Sequence, residues 1–334
     1  MKPANLANAS TAVEKMGEAI TARILEIMGE GSDERLQLWR KTLSKWTANG
    51  LPYNADNGRQ YSGGNIMQLM VVRMDRGFES NGWITYGNMV KRGFTIKKGC
   101  KAPWAWVLSP RMAFDKKDKD GNKVKNADGS DAKVMGPQRA YKVFNMDCIE
   151  THGKPVPGRK HNPATTEPDY GAASDILTHH NPALFFDGGD RAFYRPRADT
   201  IHLPAKSSFT NDKAYYHVLL HEMSHWTGHE TRLDRKLLEQ GGFGSEGYAF
   251  EELIAELSSA FTMARLNMGD SQMPAHASYL KSWIKALKGD KLFILKASTQ
   301  ASKACQFLTA CLDAAEPEEV EEDVPEAAEP VPQA

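Results

Sequence analysis

The chain is 334 residues long, too long for one ordinary hydrophobic core and comfortable for two domains. Its 42 basic and 42 acidic residues cancel, no apolar run approaches 18 residues, and no signal-like apolar segment follows the N-terminal charges, so neither a membrane span nor secretion is expected. Cys100, Cys148, Cys305 and Cys311 form no CxxC pair and suggest no disulfide framework, which reads as a reducing, cytoplasmic compartment with free thiols.

Residues 9–29 and 33–48 read as helices, the second carrying Leu36, Trp39, Arg40, Leu43 and Trp46 at i, i+3, i+4 and i+7. A turn-rich stretch, 52–64, precedes an apolar helix around 66–72. Residues 93–99 and 104–108 look like paired strands, answered by 141–144. Between them, 115–133 alternates Lys, Asp, Gly and Asn, the pattern of a flexible hairpin insertion. This half is basic: residues 1–165 hold 27 Lys and Arg against 16 Asp and Glu, a net of +11, with five of the seven tryptophans. Rings interleaved with cations suit a single-strand site, because bases stack on aromatic faces while cations track phosphates. Arg59, Tyr61, Lys91, Arg92, Lys97, Lys98 and Lys101, with Trp83 among them, are the densest group. The same pattern also describes a core with a solvated lysine face, and spacing alone leaves both readings open.

Three prolines and no apolar pattern mark 152–163 as a linker, dividing the chain into 1–150, a linker at 151–170, 171–312 and a tail at 313–334. A helix begins around 174–180. Residues 192–195 and 199–203 then look like a hairpin, a shape that holds extended peptides by strand addition. The tail is Glu, Ala, Pro and Val without an aromatic residue, so disorder is expected.

The chemistry concentrates in His221-Glu222-Met223-Ser224-His225, preceded by the helix-compatible run 215–220 with Asn211 and Asp212 as cap candidates. On a helix, His221 and His225 lie one turn apart and reach one zinc ion, with Glu222 turned aside as a general base. A metzincin-like third histidine is excluded, because Thr231 stands where it is required. His229 competes as a ligand, but Gly228 tends to end the helix first. A better third ligand comes from the helix at 248–261, where Glu252 and Glu256 share a face among apolar residues. Carboxylates buried without a cation are costly, which favours Glu252 on the metal and Glu256 orienting a ligand histidine, with the opposite assignment still open.

These residues carry a resemblance. Tyr194-x-Pro196, Asp199-x-Ile201-x-Leu203-Pro204, Phe209, Tyr216, His221 through His229, Arg232-Leu233 and Tyr248-Ala249-x-Glu251-Glu252-Leu253 closely resemble antirestriction proteins of the ArdC type, found on conjugative plasmids and other mobile elements. Tyr279 and Trp283 extend the match, and Tyr53-Asn54, Gly58-Arg59-x-Tyr61-x-Gly63-x-Asn65, Trp83-x-Thr85 and Lys97-Lys98-Gly99 resemble that family's N-terminal domain. The resemblance implies an α+β protein of two domains: a mixed α/β domain binding single-stranded DNA, and a mainly helical zincin-like metallopeptidase domain with a small sheet.

Two functions compete on this basis. One is a zinc endopeptidase acting on a protein of the host restriction system, with Tyr216 or Tyr248 stabilising the oxyanion. The other is a non-catalytic coat for single-stranded DNA in which zinc is structural or regulatory. The complete His-Glu-His set favours the first, since a purely structural site has no use for the base.

Overall fold

The computed structural model describes residues 6–47, 50–109, 113–136, 139–158, 168–236, 245–269 and 278–313. Much of the expected linker, 159–167, and the acidic tail from 314 onward lie outside the described residues.

Two helices open the chain, α1 (Leu6–Met28) and α2 (Asp33–Thr47). Ile20, Ile24 and Ile27 on α1 and Leu36, Trp39, Leu43 and Trp46 on α2 recur at helical spacing and are buried, with Trp39 and Trp46 meeting edge to face at 6.0 Å. After β1 (Tyr53–Asn54) come α3 (Gly64–Asp75), β2 (Gly82–Thr85), α4 (Tyr86–Lys91), β3 (Thr95–Ile96) and β4 (Trp104–Leu108). A long hairpin, β5 (Ala113–Asp115) and β6 (Lys133–Met135), leads to β7 (Ala140–Asn145) and β8 (Ile149–Glu150). Within it Lys123, Lys125 and Lys133 pair with Asp115 and Asp131, so the insertion neutralises much of its own charge.

The main sheet has the order β1-β2-β7-β4, with Ile84 opposite Phe144 and Trp106 opposite Lys142. Alternation sends Trp83, Ala105, Val107 and Val143 to one face, where they pack with Leu69 of α3. Ile84 and Phe144 point the other way, under Met89 of α4, Phe94 and Ile149. The strands read as partners at 93–99 and 104–108 do not pair with each other: β3 pairs with β8 and β4 with β7. Left-handed backbone at Gly99 (φ 83°) and Ala102 (φ 46°) turns the chain between them, so β4 leaves for the main sheet.

That excursion also corrects the reading of the cysteines. Cys100 and Cys148 come together as a disulfide pair with Cα atoms 5.8 Å apart, although 48 positions separate them. Cys305 and Cys311 are free. Among the described residues no helix is long and apolar enough to cross a membrane.

The second half runs α5 (Tyr170–His180), β9 (Ala183–Phe185), β10 (Phe193–Arg195), β11 (Thr200–His202), α6 (Asp212–Trp226), α7 (Glu246–Arg265), α8 (Ser278–Gly289) and α9 (Phe293–Asp313). The expected hairpin is present as β10 and β11, with β9 parallel on the far side, so β10 is an edge strand lying against α6. Side-chain caps start α6 and α7: Asn211 accepts from the Ala214 N–H and Ser245 from the Tyr248 N–H.

One apolar cluster joins Ile24, Trp39 and Met67 from the first half to Leu253, Phe261, Trp283 and Leu295 from the second. A second gathers α5, the three-stranded sheet and α6 around Ile176, Ile201, Leu219 and Trp226. The helices of the basic half are therefore part of the support beneath α7.

Candidate metal centre

Helices α6 and α7 pack face to face, and small residues at their contact allow a close approach. Ser259 Oγ donates to the His217 carbonyl at 3.3 Å, and Ala255, Ser258 and Thr262 are fully buried. Across this seam His221 Nε2 lies 3.7 Å from Glu252 Oε2, and His225 Nε2 lies 3.6 Å from Glu252 Oε1. One donor atom from each residue falls within 4.8 Å of the others, the spread of ligands around a single ion. Glu222 is buried beside them, its Oε2 without a partner, as is His221 Nδ1. Burial raises the Glu222 carboxyl above its usual range, while both histidines and the facing Tyr194 backbone N–H favour its ionised form.

A two-nitrogen, one-oxygen set with a carboxylate alongside that keeps one oxygen unpartnered fits a divalent cation. Burial would push the Glu252 carboxyl up, yet His225, His221 and the Tyr248 hydroxyl bring it down to about 2. Glu252 is therefore a carboxylate at neutral pH, as a metal ligand must be. Tyr248 stands next to the ligand set. The ring of Tyr216 stacks on Tyr170 at 5.7 Å within the second apolar cluster.

Three glutamates on α7 meet three different fates. Glu252 joins the histidines. Glu256, expected to orient a histidine, is instead clamped by Arg40 of α2, with Nε 2.9 Å from Oε1. Glu251, which the helical wheel turns away from Glu252 and Glu256, holds His225: its Oε1 lies 3.4 Å from Nδ1. Arg235 supports Glu251 from behind, donating at 2.7 and 3.1 Å to its two oxygens, to Thr227 Oγ1 at 2.8 Å and to the Ser224 carbonyl at 2.7 Å. Sequence reasoning missed Glu251, Arg235 and Arg40, because an arginine 16 or 216 positions from its carboxylate leaves no periodic signal. His229 bonds Thr231 in an exposed turn and stays outside the cluster.

Gly228 is needed at its position by close approach: a Cβ there would sit 2.9 Å from the Arg235 guanidinium and 3.0 Å from the His225 carbonyl. Removing one member of a fully buried ion pair leaves a bare charge, so Arg235→Ala is expected to cost about 3–5 kcal/mol and to weaken metal binding as well. Paired denaturation and metal titrations check this. Arg235→Ala with parental metal affinity would show that the arginine serves the fold alone.

His217, one turn before His221, is also buried, with Nδ1 unpartnered, and desolvation lowers its pKa to about 3. A histidine neutral in the fold but titrating near 6.5 when unfolded stabilises fully above pH 6.5 and loses that contribution as pH falls towards 3. Between pH 6.5 and 5 the loss is about 2 kcal/mol. Comparing chemical denaturation of the parent and His217→Gln at both pH values should show this difference, and parallel pH profiles would contradict it.

The sequence-predicted DNA contacts differ in exposure. Arg59, Lys91, Lys97, Lys98 and Lys101 are exposed, Arg92 is paired with Asp56, and Tyr61 packs beside Tyr141 and Leu69. Trp83 is corrected outright: it is fully buried in the main sheet, and its ring has no face open to a base.

Comparison with known proteins places this arrangement. The family model described as the N-terminal domain of anti-restriction factor ArdC matches residues 14–144, and the zincin-like metallopeptidase model matches 172–300. An uncharacterised protein y4eC of Sinorhizobium fredii is 30% identical over 88% of this chain and 91% of its own length. The chain belongs to the ArdC family. The ArdC antirestriction protein of plasmid R388 has a metal-free crystal structure similar to this family member, with TM-score 0.65, 29% identity and coverage of 89% of this chain and 98% of that one. Its Mn(II)-bound form matches with TM-score 0.64, 28% identity and coverage of 88% and 97%. A DNA primase TraC of Escherichia coli is 34% identical over 88% of this ArdC-family chain, which spans about a quarter (27%) of TraC's length. The expected two-domain α+β architecture is thus the family's own.

Proposed function

We propose that this ArdC-family chain is an antirestriction protein of a mobile element, binding single-stranded DNA through residues 1–150 and hydrolysing a cytoplasmic protein of the host restriction system at a zinc centre in 171–312. The observation that carries the catalytic part is Glu222, a buried carboxylate with one oxygen unpartnered, next to the His221, His225 and Glu252 cluster. A structural site gains nothing from such a group, because burying it costs free energy. The Mn(II)-bound R388 protein supports a divalent ion here, and the nitrogen-rich donor set favours zinc over harder cations.

Zinc held by these three residues would polarise a scissile carbonyl and acidify a water. Glu222 takes the proton from the attacking water and returns it to the leaving amine. Glu251, backed by Arg235, fixes the ring of His225, and Tyr248 steadies Glu252. The edge strand β10 offers its backbone beside Glu222, where an extended segment of the target protein would add as a strand.

The deciding experiment incubates candidate restriction subunits with the full-length chain, with and without single-stranded DNA, and identifies cleavage products by mass spectrometry. Cleavage that needs zinc and increases with DNA supports the reading. Intact subunits under every condition count against the peptidase part.

A further inference from the structure

The one tryptophan that the sequence pattern offers for DNA is buried, yet the sheet holds other rings nearer the surface. On the face opposite α3, α4 covers only the half around Ile84 and Phe144. The other half, towards the edge strand β4, keeps the exposed ring of Trp106, although α1 also passes close to β4 and β7. There Trp104 and Trp106 stand two residues apart on β4 and meet edge to face at 6.1 Å. Lys142, opposite Trp106 on β7, places its Nζ 4.2 Å from the Trp104 ring centre and 5.5 Å from that of Trp106. The Arg76 guanidinium lies 5.7 Å from Trp104 and donates to the Ala102 carbonyl at 2.6 Å. Trp106 is 36% exposed, and Tyr86, which leans on Phe144 along the same face, is 40% exposed. Neither β4 nor β7 carries a carboxylate.

Large rings are expensive to leave in water, and a lysine laid across two of them is a cation held against an aromatic face. Resting on the reading that this chain binds single-stranded DNA, we propose that the Trp104, Trp106 and Lys142 face of the main sheet is its base-stacking platform. An unpaired base stacks on Trp106, and Lys142 meets the adjoining phosphate. The strand continues towards Tyr86, across strands β4 and β7 that carry no carboxylate and within a half of the chain whose net charge is +11. A protein partner suits this face less well, since it would strip water from Lys142 without returning a charge.

Fluorescence anisotropy of labelled oligothymidylate with the full-length chain over a salt series tests the assignment. Trp106→Ala is expected to weaken binding about tenfold with an unchanged salt slope, and Trp106→Phe to restore most of the affinity. Lys142→Gln should lower the log–log salt slope by about 0.7, one phosphate contact's worth for a single strand. Because Trp106 is partly exposed, both variants should keep the parental melting temperature and metal content. If the parent binds the oligonucleotide and both Trp106→Ala and Lys142→Gln bind equally well, the platform lies elsewhere while the DNA-binding reading stands. A parent that fails to bind single-stranded DNA removes both. Equal losses of duplex and single-strand affinity in Trp106→Ala would also overturn the proposal, because a stacked base must be unpaired.

Discussion

Replacing His221 or His225 with alanine is expected to abolish stoichiometric metal, read as the zinc-to-protein ratio after exhaustive dialysis. Each histidine supplies one of the three protein donors found among the described residues, all within 4.8 Å of one another, and the two that remain make an ordinary weak chelate. Glu252→Ala should do the same, and the released Tyr248 hydroxyl cannot compensate, being a poor ligand while protonated. Glu256→Ala is the informative control. Its carboxylate is tied to Arg40, so its loss should destabilise the fold by about 3–5 kcal/mol while leaving metal stoichiometry intact. Full zinc occupancy in a protein lacking both histidines would show that the site lies elsewhere. The reverse ranking, with Glu256→Ala losing metal and Glu252→Ala keeping it, would exchange the two roles.

Glu222→Ala is the second large effect, and it separates chemistry from binding. In the proposed mechanism the side chain moves a proton without holding the ion, so the variant should bind zinc and single-stranded DNA as the parent does. Its hydrolysis should fall by about 10²–10⁴-fold, the usual contribution of a positioned general base. In a conjugation assay that variant should also fail to protect an incoming plasmid, if protection proceeds by cleaving a restriction protein. Undiminished protection by Glu222→Ala, with metal and DNA affinity confirmed, would favour the coating reading over the peptidase. Truncated proteins are a poorer test, because one apolar core joins α1 to α3 with α7 to α9.

How much was legible in the sequence follows from how local each feature is. Helices α2, α6 and α7 were readable because their apolar residues lie within a few positions of one another, and α6 also because its cap Asn211 directly precedes it. The pair His221 and His225 was readable for the same reason: helical geometry alone puts both rings on one side. The placement of Glu222 beside that pair and the excess of positive charge in the first half also needed no fold.

Tertiary packing decided the rest. Three acidic residues within six positions of α7 are indistinguishable by periodicity, and their partners come from α2, from α6 and from the turn carrying Arg235. Which glutamate reaches the histidines was settled by the rotation of α7 against α6, and the other two by where an arginine could be buried. The cysteine pairing depended on β3 meeting β8, and the fate of Trp83 against Trp106 on which face of one sheet α3 covers. A sequence determines what each residue can do within its own turn or strand. Burial and charge compensation are settled between segments far apart in the chain, and only the folded arrangement brings those segments together.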